Sequence, residues 1–220
     1  MLPRKLLVGS AALALAAGSA AMAVQAQAGG RATPSLSFFS GGAGAHADWL
    51  ATADQPPGDA DNQAIHLVTS NGAPSYSQGY AGITVHHVEG IPAASFPDSS
   101  FWVKYQNYTG PSLGSPRLVV QFATPAGTPD GDAQLFADMA TGDWQQVSDV
   151  DNYTNSGWDI HSAACPYESH QHWNEAQSCH AGDVVSAVYM VADAYRISHL
   201  IDDLNVDNVN FSQAANNGTG

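Results

Sequence analysis

The stretch "FWVKYQNY" (residues 101–108) decides the fold. Phe101, Val103 and Tyr105 alternate with Trp102, Lys104 and Gln106. One face is therefore apolar and the other mixed, the period of two that a half-buried strand requires. The same period recurs outward from it. "QAIHLVT" (63–69) puts Ile65, Leu67 and Thr69 on one face, and "AGITVHHV" (81–88) sets Ile83, Val85 and His87 against Thr84, His86 and Val88. "RLVVQFAT" (117–124) follows the turn "TGPSLGSP", and "DAQLFADM" (132–139) and "GDWQQVSD" (142–149) read as two further short strands.

"DVVSAVYMVAD" (183–193) is the longest apolar run of the mature part and reads as a strand buried on both faces; "HLIDDLNVDNVNF" (199–211) reads as the last strand. The spacers are rich in Gly, Pro, Asn and Asp, which favour turns. No window beyond the N-terminal segment sustains apolar residues at helical spacing. The expectation is all-β: eight to ten short strands in an antiparallel β-sandwich of jelly-roll type.

The N-terminus, "MLPRKLLVGSAALALAAGSAAMAVQAQAGG", has Arg4 and Lys5 ahead of an Ala-rich apolar core and ends in small residues around Ala26-Gln27-Ala28. This is the layout of a cleaved signal peptide over residues 1–28, which predicts a secreted, extracellular protein. A membrane anchor fits less well, because no basic stop-transfer cluster follows. One domain is expected over residues 29–212, with a disordered tail over 213–220.

The chain carries 20 acidic against 6 basic residues, a formal charge of −14. Removing Arg4 and Lys5 with the leader gives 4 − 20 = −16. Such a surface repels polyanions, so nucleic acid is not an expected partner, nor is membrane insertion expected of the mature form. Seventeen of the acids are Asp, which suits loops and also supplies oxygen ligands for hard cations.

Both cysteines lie in "CPYESHQHWNEAQSCH" (165–180). In an exported chain they are expected to pair as the disulfide Cys165–Cys179, stapling a loop too polar to hold itself by burial. His170, His172 and His180 are then the candidate transition-metal ligands; His170 and His172 point the same way if the piece is extended. No HExxH and no paired CxxC accompanies them.

Catalytic patterns are sparse. There is no G-x-S-x-G elbow and no glycine-rich nucleotide loop. Glu89, beside His86 and His87, reads as a loop-end acid. No catalytic residue is assigned.

The succession "AGITVHHVEGIPAASFPDSSFWVKYQ", "GDWQQVSD", "VVSAVYMVAD" and "HLIDDLNVDNVNF" resembles secreted bacterial jelly-roll domains of the concanavalin-like or galactose-binding-like kind, as in carbohydrate-binding modules. The resemblance implies a non-catalytic protein that binds an extracellular or cell-wall glycan. Trp102, Trp144, Trp158, Trp173 and Tyr167 are the rings on which sugar C–H faces would stack. It also implies one structural calcium, for which Asp48, Asp61, Asp202 and Asp203 are the positions to inspect. A polysaccharide-degrading enzyme on the same scaffold and a protein-binding surface protein are the alternatives.

Overall fold

A computed structural model describes residues 31–69, 79–106, 116–137, 142–149, 157–193 and 198–211; the expected signal peptide and the expected tail lie outside the described residues. Numbered in chain order, one sheet contains β1 (Ser35–Gly41), β4 (Tyr80–His86), β6 (Arg117–Ala123), β7 (Pro129–Phe136), β9 (Trp158–Ser162), β10 (Glu168–Gln171) and β11 (Val184–Asp193). Their spatial order is β1-β4-β11-β6-β7-β9-β10. The second sheet contains β2 (His46–Ala51), β3 (Gln63–Val68), β5 (Ser100–Tyr105), β8 (Gln145–Val147) and β12 (Ser198–Val206), in the order β2-β3-β12-β5-β8, with β13 (Val209–Phe211) paired to β12. Every pairing is antiparallel, and the two sheets pack as the expected sandwich.

Register converts the period of two into a core. Val188 and Met190 of β11 lie between Val85 and Ile83 of β4 and Val120 and Leu118 of β6. In the second sheet Ile201 lies between Ile65 and Val103, and His199 between Leu67 and Tyr105. Ile65, Leu67, Ile83, Val85, Leu118, Val120, Val188, Met190 and Ile201 are all fully buried. Each such side chain contributes about 1.5–3 kcal/mol of transfer free energy.

Three local expectations change. Run 183–193 is buried on both faces only toward its C-terminal end, at Met190, Val191 and Ala192; Ser186 is exposed and Ala187 and Tyr189 are half-buried, beyond a bulge between Val185 and Ala187. Strands β1, β2, β9 and β10 join those legible in the sequence. β1 and β2 are edge strands of mixed exposure and so carry no clean alternation. A helix also forms, α1 (Trp173–Cys179), inside the polar loop. Its first turn is closed by the Glu175 carboxylate accepting from the His172 backbone N–H at 2.8 Å, half of a capping box. With a 3-10 turn at Ala93–Ser95, α1 plugs one end of the sandwich. There Trp173 meets Trp158 (ring centroids 4.5 Å apart), Phe96 (6.0 Å) and Phe122 (6.3 Å).

Candidate functional site

The disulfide Cys165–Cys179 forms, with Cα atoms 5.7 Å apart, and ties the segment after β9 to the end of α1. The three candidate histidines of this stretch do not converge. His170 adopts a left-handed backbone (φ 59°) and is exposed, and His172 precedes the helix, 3.7 Å from Asp149. His180 turns inward, fully buried and stacked on Phe122 at 4.0 Å. Its Nδ1 lies 3.0 Å from Asp183 and 3.9 Å from Asp130. The left-handed backbone at His170 itself, with His172 turned to cap the helix that follows, breaks the extended geometry that would have aligned the two.

Burial also removes two of the five expected platform rings. Trp158 is fully buried and donates from Nε1 to Asp98 at 3.2 Å; Trp173 is 4% exposed and donates to the Phe96 carbonyl at 2.8 Å. Both hold the plugged end of the core and offer no face to a ligand. Tyr167, by contrast, is 61% exposed.

Trp102 lies on the outer face of the second sheet, with Lys104, Leu200 and Asp202 beside it in register. A loop between β2 and β3 covers part of this face. Asp54 of that loop accepts from Lys104 Nζ at 2.8 Å and from Trp144 Nε1 at 3.1 Å, so Trp144 is engaged as a clamp on the loop. Further along, Asp59 and Asp61 bring their carboxylates to Asp202, with one oxygen of each within 4.8 Å of the others. Asp202 is 1% exposed; its Oδ1 accepts from the Asp203 N–H at 2.8 Å, and its Oδ2 has no hydrogen-bond partner. Burial, reinforced by Asp59, Asp61 and Asp203, pushes the Asp202 carboxyl up to about 7.

An orphaned buried carboxylate oxygen among three acids suits a hard cation. Of the four positions inspected for calcium, Asp61 and Asp202 belong to this group. Asp203 adjoins it but accepts from Asn210 at 2.9 Å. Asp48 stands elsewhere, beside His66 at 3.4 Å. Asp59 was the missing member, and its signal was the acid-x-acid spacing of "PPGDADNQ".

The outer face of the first sheet is built differently. Cross-strand register aligns Tyr189, Val119, Gln134 and Asp159 in one row, and Ala187, Gln121, Asp132 and His161 in the next. Gln121 donates to the Tyr189 hydroxyl at 3.4 Å, Gln134 donates to Asp132 at 3.0 Å, and His161 Nδ1 lies 2.9 Å from the same carboxylate. Tyr167 donates to Asp159 at 3.0 Å and packs its ring 4.8 Å from that of His161. Arg117 forks onto both oxygens of Asp193 at 2.5 and 2.7 Å. Burial raises the Tyr189 hydroxyl above its usual value, so it remains protonated. From β11 across to β9 the face runs three strand spacings, about 14 Å.

The result is a row of planar amide, carboxylate and imidazole groups between two tyrosines. Paired acceptors and donors of this kind match vicinal hydroxyls, and the rings match apolar C–H faces. Of these residues only Tyr167 was expected at a glycan site; His161 was a candidate companion of the metal-ligand histidines instead. Gln121, Asp132 and Gln134 follow the polar alternation of any half-buried strand, and nothing in the sequence distinguishes them from ordinary solvated positions.

Among the described residues, no helix is long and apolar enough to cross a membrane. No family model matches the chain, and neither does any curated protein. Among solved structures the chain is similar to the arabinose-bound MgGH51 α-L-arabinofuranosidase, at 11% identity and a TM-score of 0.37, over 74% of this chain and 22% of that one.

Proposed function

We propose that the protein is a secreted, non-catalytic binding module for an extracellular or cell-wall glycan, and that the glycan lies on the outer face of the first sheet. The observation that supports this most is the Tyr189, Gln121, Asp132, His161 and Tyr167 row, in which polar groups already paired with one another can exchange those partners for sugar hydroxyls. The second sheet is the weaker candidate, because its Trp144 and Lys104 are engaged by Asp54.

Calcium fits the Asp59, Asp61 and Asp202 group. When bound it supplies a counter-charge to three carboxylates and links the β2–β3 loop to strand β12. The chain's own part is to hold that loop down, through Asp54 on Lys104 and Trp144 as well.

One panel tests the reading. Purified protein is incubated with soluble and insoluble polysaccharides, and both protein depletion and release of new sugar ends are measured. Retention without release is expected. Gln121→Ala and Tyr189→Ala should each weaken retention about tenfold, the loss of one or two hydrogen bonds or a stacked ring. Trp102→Ala should leave it unchanged. Release of ends would overturn the non-catalytic reading; retention abolished by Trp102→Ala alone would move the site to the other sheet. For the cation, EDTA should lower the Tm and calcium should restore it in the native protein but not in Asp202→Asn.

A further inference from the structure

The edge of the second sheet carries a group of side chains that neither the glycan face nor the acidic site uses. His46 and Asp48 of β2 stand two residues apart on the outward face, and Asp48 lies directly opposite His66 of β3. One ligand atom from each of the three lies within 4.8 Å of the others. The two imidazole rings meet edge to face with centroids 5.2 Å apart.

The surrounding hydrogen bonds set where the lone pairs point. Ser198 donates its hydroxyl proton to Gln106 Oε1 at 3.0 Å. Its oxygen is therefore left to accept, and it does so from His66 Nε2 at 2.8 Å. A neutral His66 then carries its proton on Nε2 and presents the Nδ1 lone pair to Asp48 Oδ1, 3.4 Å away. His46 Nδ1 lies 3.4 Å from the Gly44 carbonyl, which can only accept, and this favours a lone pair on its Nε2.

A lone pair facing a carboxylate is relieved by a positive charge between them. A proton on Nδ1 would serve for the pair alone, but it gives no role to the second imidazole. A divalent ion of borderline softness uses all three groups, and an outer hydrogen bond that fixes the tautomer of a ligating histidine is the usual companion of such sites.

We propose that His46, Asp48 and His66 bind a divalent transition-metal ion, with zinc as the ion to test, and that Ser198 is a positioning residue for His66. Three protein ligands leave further coordination positions on the solvent side, since His46 and Asp48 are exposed. The ion joins β2 to β3 across the sheet edge, and its open positions take water or an anionic or hydroxyl ligand. This inference is independent of the glycan reading and of the acidic calcium group.

The test is titration of the EDTA-treated, dialysed protein with zinc by calorimetry, together with the visible spectrum of the cobalt form. One site per chain is expected, with cobalt bands of a four- or five-coordinate ion. His46→Ala and His66→Ala should each weaken zinc at least tenfold, while Asp202→Asn leaves it within twofold. Ser198→Ala should weaken it about tenfold without removing a ligand, the size seen for outer-shell changes. Each variant is checked by circular dichroism, so loss of binding is separated from loss of fold. Absence of a stoichiometric site would overturn the proposal, as would a site indifferent to His46→Ala and His66→Ala, which would place the metal on other surface histidines.

Discussion

His199 shows how much one buried ring decides. It sits between Leu67 and Tyr105 in register, fully buried, with its ring edge-on to Tyr105 at 4.4 Å. Burial, partly opposed by the Leu67 backbone, pushes its pKa down to about 3. The folded value is depressed relative to the unfolded one, so the unfolded state binds the proton more readily between about pH 6.5 and 3. Stability from this residue is therefore complete above pH 6.5 and is lost as the pH falls through that window. At pH 4.5 the loss should reach roughly 2–3 kcal/mol. Urea unfolding at pH 7 and pH 4.5 should show that extra loss in the native protein and not in His199→Phe. Trp173 makes the complementary case. Its Nε1 bond goes to a carbonyl that Gln177 also serves at 3.0 Å, so removing the indole leaves the acceptor satisfied. Trp173→Ala should cost about 3–5 kcal/mol from the cavity between Phe96, Phe122 and Trp158, and Trp173→Phe distinctly less.

At the scale of elements, the pairing of β7 with β9 positions the face proposed to bind glycan, and Gly131 permits it. Its φ is +110°, and a Cβ there would overlap the His161 carbonyl oxygen. Gly131→Ala should cost more than about 1 kcal/mol and weaken polysaccharide retention as well, because Asp132 and His161 adjoin the strained contact. Denaturant titration and the retention assay check the two effects separately. The disulfide acts on the next segment along. Its cysteines are 14 residues apart, and a loop of that size is worth roughly 3 kcal/mol in the chain-entropy model. Cys165→Ser with Cys179→Ser should lower stability by about that amount and loosen Tyr167, which the loop carries.

For the whole molecule, the formal charge of −14 governs which ligands can approach. Affinity for a neutral polysaccharide should change less than twofold between low and high salt. A uronic-acid polymer should bind more weakly at low salt than at high salt, where its repulsion is screened. Affinity measured at two ionic strengths decides this.

The strands at 63–69, 101–108 and 117–124 were legible because a side chain on a pleated strand alternates faces whatever it packs against, so burial on one side writes itself into the residue order. The disulfide was legible because a chain with two cysteines, expected to be exported, leaves one pairing. Which outward residues meet was not legible. Asp59 and Asp61 join Asp202 across most of the chain length, and His46 and Asp48 join His66 through a register that residue types do not encode. The tryptophans mark the same boundary. Trp158 and Trp173 have the ring chemistry of a sugar platform, yet the plugged end of the sandwich needed large apolar groups with one donor each. Local periodicity specifies the faces of a strand; only the pairing of strands distant in sequence specifies which side chains share a face.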